Sequence, residues 1–222
     1  MEAVLELVNV LHEPAAVFER IREKPRVLVP YVVIVVLLVA VAWFMRPLYE
    51  QALRGLMATL PPERAARIDP SRQTMFILIG TPINVLLILL IGAGLLWVLT
   101  ALTGSDARYR MLLSVLAHAS VTLVLVTMVS ALIVFVRGTE TVSSFSDLRP
   151  AIGLDLLAPG ATGFLGSYLN AINPFSIWGV WLTGVGVAVT HRTSRGTGVV
   201  VAAVAYLIGA AIFAVLQSLQ GM

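Results

Sequence analysis

The sequence predicts an all-α polytopic membrane protein, with about five transmembrane helices plus short interfacial helices. Two observations carry that expectation. The chain has 222 residues, of which 59% are hydrophobic and 12% charged, against about 25% charged in a typical soluble chain. Its mean hydropathy is +0.94, and a soluble fold this small has too little interior to hide so much apolar surface. Second, five stretches, about 27–45, 75–102, 111–136, 174–190 and 197–217, contain no Asp, Glu, Lys or Arg. A hydrocarbon core of roughly 30 Å needs about 20 helical residues, so each stretch is a candidate span.

Composition also excludes several functions. Without cysteine there is no disulfide, no thiolate metal site and no cysteine nucleophile. The net charge of +3 comes from basic residues scattered singly between apolar runs. Nucleic acid needs a concentrated basic patch, so it is excluded as a partner and the arginines read as topology signals. Lys24 is the one lysine against fourteen arginines, a bias that points to a GC-rich bacterial genome.

Residues 1–26 read as a cytoplasmic interfacial segment. They hold Glu2, Glu6, Glu13, Glu19 and Glu23, and no small-residue cleavage site follows a short apolar run. The expectation is therefore that no signal peptide is present and the first span is retained. Pro14 can open a short helix with Val17, Phe18 and Ile21 on one face and Glu19, Arg22 and Glu23 on the other, the pattern of a helix lying in the membrane interface. After the first span, residues 47–72 form an outer connection. There Leu48, Ala52, Leu56 and Leu60 recur at helical spacing before Pro61 and Pro62, which predicts a short amphipathic helix.

The second and third spans are long, so tilt, a kink or extension beyond the bilayer is expected. Pro82 is the natural kink point, because proline removes one backbone hydrogen bond and crowds the preceding turn. Residues 137–172 form a second outer connection rich in Gly, Ser, Thr and Pro. Its apolar pieces, 154–157 and 164–169, are too short to span, and a re-entrant hairpin and a solvated loop both fit. Asn173 and Pro174 supply an N-cap and a first-turn proline that start the fourth span sharply. Residues 164–172 are then left as a partial insertion ahead of it.

Orientation rests on the basic residues. With the N-terminus inside, Arg20, Arg22, Lys24 and Arg26 are followed inside by Arg108 and Arg110, then Arg192 and Arg195. Arg46, Arg54, Arg64, Arg67, Arg72, Arg137 and Arg149 fall outside, in longer connections where the positive-inside rule weakens. The expected placement is a multi-pass protein of the cell's inner (plasma) membrane, N-terminus cytoplasmic and C-terminus outside.

Ionisable groups inside spans usually mark chemistry or transport. Here the clear case is His118. Ser114, His118 and Thr122 follow at i, i+4 and i+8 as one polar stripe facing the bundle interior, and Asn84 on the second span is the other polar group of a candidate path. Two readings compete: a proton-sensitive or ligand-contacting group, or a histidine hydrogen-bonded as interhelical glue. With no acidic partner in any span the structural reading is favoured. No metal-ligand spacing links the histidines, and no H-E-x-x-H, G-x-S-x-G or P-loop occurs, so no catalytic residue, cofactor or metal is expected. Small residues recur instead. Gly92 and Gly94 on the second span, Gly179 and Gly184 on the fourth, and Gly198, Ala202, Ala205 and Gly209 on the fifth form candidate packing faces, serving either this bundle or another membrane protein.

Asn173, Pro174, Phe175, Ser176, Ile177 and Trp178, with His12-Glu13-Pro14 to Phe18 before the basic Arg22 to Pro25 stretch, Gly104 with Tyr109 and Arg110, and Ser194 to Gly198, carry a resemblance. The chain resembles the Yip family of Ypt/Rab-interacting membrane proteins over nearly its whole length, with Phe175 and Trp178 the most specific feature. Members often have an aromatic residue and then a proline where this chain has His118 to Thr122, so a role tied to that bend is in doubt. The resemblance implies five helices and a cytosolic N-terminus. In eukaryotes it implies association with Rab-type GTPases and membrane traffic, and in bacteria an accessory role with an ABC-type exporter as one suggested partner. It implies no catalytic residues. The sequence thus leads to a non-enzymatic accessory or scaffold protein whose partners are the lipid bilayer and another membrane protein or itself. The alternative is a small permease or channel with a polar path past His118.

Overall fold

A computed structural model describes residues 2–219; Met1, the first residue of the expected N-terminal segment, and residues 220–222 lie outside it. Among the described residues the chain is helical throughout, with no strand. Two short helices, α1 (Glu2–Asn9) and α2 (Pro14–Glu23), precede α3 (Leu28–Phe44) and α4 (Arg46–Ala58). The four-residue α5 (Pro62–Ala65) leads to α6 (Pro70–Leu102). A short loop joins it to α7 (Tyr109–Ala119) and α8 (Val121–Arg137), and three 3-10 turns follow, at Thr139–Thr141, Phe145–Leu148 and Leu154–Leu157. The chain ends in α9 (Gly163–Ala171), α10 (Pro174–His191) and α11 (Arg195–Leu219).

Three helices are long and apolar enough to cross a membrane alone: Pro70–Leu102, Tyr109–Arg137 and Arg195–Leu219. Two bent pairs, α3 with α4 at 58° and α9 with α10 at 59°, bring the number to five if each pair is one span. This is an all-α polytopic membrane fold.

Helix α6 shows what fixes an element. The Asp69 carboxylate accepts the Ser71 and Arg72 N–H groups at 2.9 and 3.3 Å, and Pro70 needs no hydrogen-bond acceptor at the first position. Its 33 residues reach about 50 Å, more than a bilayer core, so its polar first turn extends beyond the apolar region. The helix runs unbroken through Pro82, and the Tyr31 hydroxyl of α3 donates to the Pro82 carbonyl at 3.0 Å. The next span is interrupted at Ser120 instead. There the Ser120 hydroxyl bonds the Leu116 carbonyl at 2.7 Å and Thr122 bonds Ala119 at 3.1 Å, the side-chain back-bonding that competes with a regular helix.

The N-terminal segment differs from its interfacial reading. Val17, Phe18 and Ile21 of α2 are buried, packed with Met111 and Val115 of α7 and Val185 of α10. The face expected on lipid is covered by protein, because Gly186 of α10 leaves room for the Phe18 ring: a β-carbon at Gly186 would stand 3.1 Å from it. Helix α4 is likewise covered, with Leu48 and Ala52 buried beside Val134 of α8 and Val142, and Leu53 also buried, whereas Leu56 of the expected stripe is exposed.

The break between α9 and α10 lies well inside the apolar layer. The Tyr206 hydroxyl of α11 donates to the Ala171 carbonyl at 2.6 Å, and Tyr206 stands eleven residues, about 16 Å, along its helix from Arg195. Backbone groups freed at such a depth need partners, since lipid offers none. The Asn170 carbonyl accepts from Asn173 Nδ2 at 3.1 Å, and the Ile172 carbonyl accepts the Leu154 N–H at 3.0 Å. Asn173 Oδ1 accepts the Phe175 and Ser176 N–H groups at 3.1 and 3.0 Å, while Ser176 Oγ accepts the Asn173 N–H at 2.9 Å. One buried asparagine therefore caps α10 and ties off α9. Asn173→Ala is expected to cost about 2 kcal/mol, the upper end for an N-cap, measured by unfolding of the purified protein in a mild detergent. An unchanged unfolding midpoint contradicts this account of the break.

Candidate functional site

The strongest polar concentration gathers where α1, α2 and the start of α3 meet α7. Leu7 of α1 and Val10 just after it are buried, and Glu6 beside Leu7 is carried inward to 8% exposure. Its carboxylate stands 3.5 Å from Arg20 Nε of α2 and 3.6 Å from Arg26 Nη1 just before α3. Residue 26 is fastened to α7 through its backbone: Ser114 Oγ donates to the Arg26 carbonyl at 2.6 Å and accepts the Arg26 N–H at 3.1 Å. One turn on, His118 Nδ1 lies 2.8 Å from the Ser114 carbonyl. A carbonyl only accepts, so Nδ1 carries the proton and Nε2 is the bare ring nitrogen. Ser114 and His118 are both fully buried. His118 Nε2 and Glu6 Oε2 are buried with no hydrogen-bond partner among the described residues.

The structure brings only part of the expected polar path together. Ser114 and His118 belong to the cluster. Thr122 is buried one turn further, bonded to Ala119 and packed against α10, where a β-carbon at Gly179 would stand 2.6 Å from its hydroxyl oxygen. Asn84 is a correction: it lies exposed on the outer side of α6, because Val85 and Leu89 are the residues that α6 turns toward α3 and α7. The acidic group of the cluster, Glu6, comes from outside the spans and pairs with Arg20 and Arg26. Glu6 was missed because local spacing shows that α1 is amphipathic but not which helix covers it. The mixture of glutamates and arginines in residues 1–26 was the signal that internal ion pairs form there.

The candidate packing residues are mostly used within the chain. A β-carbon at Gly184 would stand 2.6 Å from the Val199 Cα, and one at Gly198 would overlap the Gly184 carbonyl. Ala202 and Ala205 are buried with Leu96, Leu112 and Val187. Gly92 faces Leu116 and Gly209 faces Leu95, while Gly94 has nothing within 4 Å. Of the remaining motif residues, Asn173 is the cap described above, Phe175 and Trp178 are half-buried, and Pro174 is exposed.

Chemically the cluster is a clamp: two arginines on one carboxylate tie α1 to α2 and to the start of α3, and Ser114 fastens residue 26 to α7. No group of three or more His, Cys, Asp or Glu able to hold a metal ion occurs among the described residues. Shallow surface depressions are lined by Pro25 to Val29 with Arg110, and by Trp43, Phe44, Arg46, Pro47 and Glu50. Neither is lined by His118. Ser114→Ala removes both bonds to residue 26, at about 1 kcal/mol each. It is expected to lower the unfolding midpoint and speed hydrogen exchange of the Arg26 amide; exchange at the unaltered rate contradicts the clamp.

Comparisons with known proteins agree with this architecture. The Yip1 domain profile matches residues 8–216, from the end of α1 to the last turns of α11. The chain is 26% identical over 199 residues to the membrane protein YknW of Bacillus subtilis (strain 168), an alignment covering 86% of this chain and 81% of that protein. No solved structure matches. A profile match that runs from the end of α1 into the last helix takes in every element after α1, and the chain belongs to the Yip1 domain family.

Proposed function

We propose that this protein is a non-enzymatic accessory or scaffold protein of the inner (plasma) membrane, with a cytoplasmic N-terminus, that acts by associating with other membrane proteins. The observation that carries the reading is the outer side of α6. Asn84 sits there near mid-helix, exposed beside Ile83, Leu87 and Ile88, and its side chain makes no hydrogen bond among the described residues. One turn away, Gly80 has nothing within 4 Å. A carboxamide facing hydrocarbon is costly, and it is relieved when a second membrane helix offers a polar partner. Gly80 lets such a helix approach closely at that point.

The interior supports the same reading. Ser114, His118 and Thr122 are sealed among helices while Asn84 faces away from them, so the polar path needed by a permease has no geometric support. The proposed partner class, an ABC-type exporter, rests on the family resemblance. A photo-crosslinking amino acid at Ile83 or Leu87 in native membranes is expected to capture a membrane protein, and Asn84→Leu to reduce the yield. A protein that stays solitary through crosslinking and several mild detergents overturns the proposal.

A further inference from the structure

We infer that residues 150–165 form a re-entrant element whose apolar side chains sit among the lipid acyl chains, just below the headgroups on the side where α11 ends. The first support is depth. Arg149 is hydrogen-bonded to Gln217 near the end of α11, and five residues later the Leu154 N–H is bonded to the Ile172 carbonyl at the helix break. That break is held by Tyr206, eleven residues and about 16 Å back along α11 from Gln217. Ser167, four residues or about 6 Å along α9 before Ala171, bonds the same Gln217 oxygen, so the chain from Arg149 to Leu154 runs alongside α9 from the end of α11 to the break.

The second support is fit. Gly153 lies against the backbone of the break: a β-carbon there would stand 2.6 Å from the Ile172 carbonyl oxygen and 2.8 Å from those of Asn170 and Leu169. The turn is thus built into α9, and Asn170 Nδ2 closes it by donating to the Pro150 carbonyl at 3.1 Å and to Asp155 Oδ2 at 2.8 Å.

The third support is the surface that results. Leu156 and Leu157 on the turn are 61% and 81% exposed, and Phe164 and Leu165 at the start of α9 are 41% and 53% exposed. Asp155 is the one acidic or basic side chain between Arg149 and His191. It is turned inward, with Oδ1 accepting the Gly153 N–H at 2.9 Å and Oδ2 held by Asn170. A connection facing water would expose charge and polar side chains. This one exposes leucine and phenylalanine, continuous with the outward residues Ile177 and Trp181 of α10. Acyl chains are the occupant that matches a surface of this chemistry at this depth.

The chain holds no cysteine, so L157C and F164C each give a unique labelling site. Each variant of the full chain is labelled with an environment-sensitive fluorophore and reconstituted into phosphatidylcholine vesicles. L207C on the outward face of α11 serves as the lipid reference and R67C, in an exposed loop, as the water reference. Quenchers are supplied on the acyl chain at two depths and, separately, as aqueous iodide. At both sites the expected result is blue-shifted emission, with loss of fluorescence to the shallower acyl-chain quencher and little loss to iodide. Quenching by iodide at the level of R67C overturns the inference. Protection from both quenchers also overturns it, because protein, including a second copy of this chain, then covers the surface. If L157C fails to insert, F164C alone decides between these outcomes.

Discussion

The close backbone approach of α10 to its neighbours is the constraint on which the rest of the bundle depends. Three glycines on this one helix face four neighbouring helices: Gly179 meets Thr122 of α8, Gly184 meets the backbone of Val199 in α11, and Gly186 meets Val115 of α7 and the Phe18 ring of α2. In hydrocarbon there is no hydrophobic force between helices, so association comes from van der Waals contact and interhelical hydrogen bonds, both of which grow as backbones come closer. A thin central helix lets α2, α7, α8 and α11 pack around it together. The seating of Phe18 then positions α2, and with it Arg20, against the Glu6 carboxylate.

Interruptions in the helices follow from the same absence of water. The chain tolerates a break at Ile172 and Asn173 only where other groups complete the backbone, and Asn173, Tyr206 and Leu154 do so. At Ser120 the chain's own hydroxyls serve that purpose. Polar side chains in this protein mostly complete backbone at weak points. Asn84, without that role, is the exception that faces outward.

What was legible in the sequence was what depends on local pattern. Five charge-free stretches identified the membrane fold, and the Asn173-Pro174 pair identified the start of α10, because a cap and a first-turn proline act within one turn of chain. Small residues at helical spacing pointed to packing faces, and Gly184 and Gly198 do meet partners. The remainder depended on long-range placement. Glu6 pairs with arginines fourteen and twenty residues away and lies near a histidine far along the chain, which no local period encodes. The side of α6 that Asn84 occupies is set by which residues α3 and α7 cover. The burial of α2 came from Gly186, more than 160 residues away, so an amphipathic pattern alone suggested lipid where the fold supplies protein.

The central claim, that α10 is positioned by backbone contact that side chains would prevent, is tested most directly by comparing Gly184→Ala with Gly94→Ala in unfolding of the detergent-purified protein. At Gly184 the added carbon would press on the Val199 backbone, which cannot rotate away, whereas at Gly94 it meets nothing within 4 Å. The account predicts a loss of about 1–3 kcal/mol at Gly184 from overpacking. At Gly94 it predicts no loss, or a gain of up to about 1 kcal/mol from helix propensity. Equal stability of the two variants contradicts it.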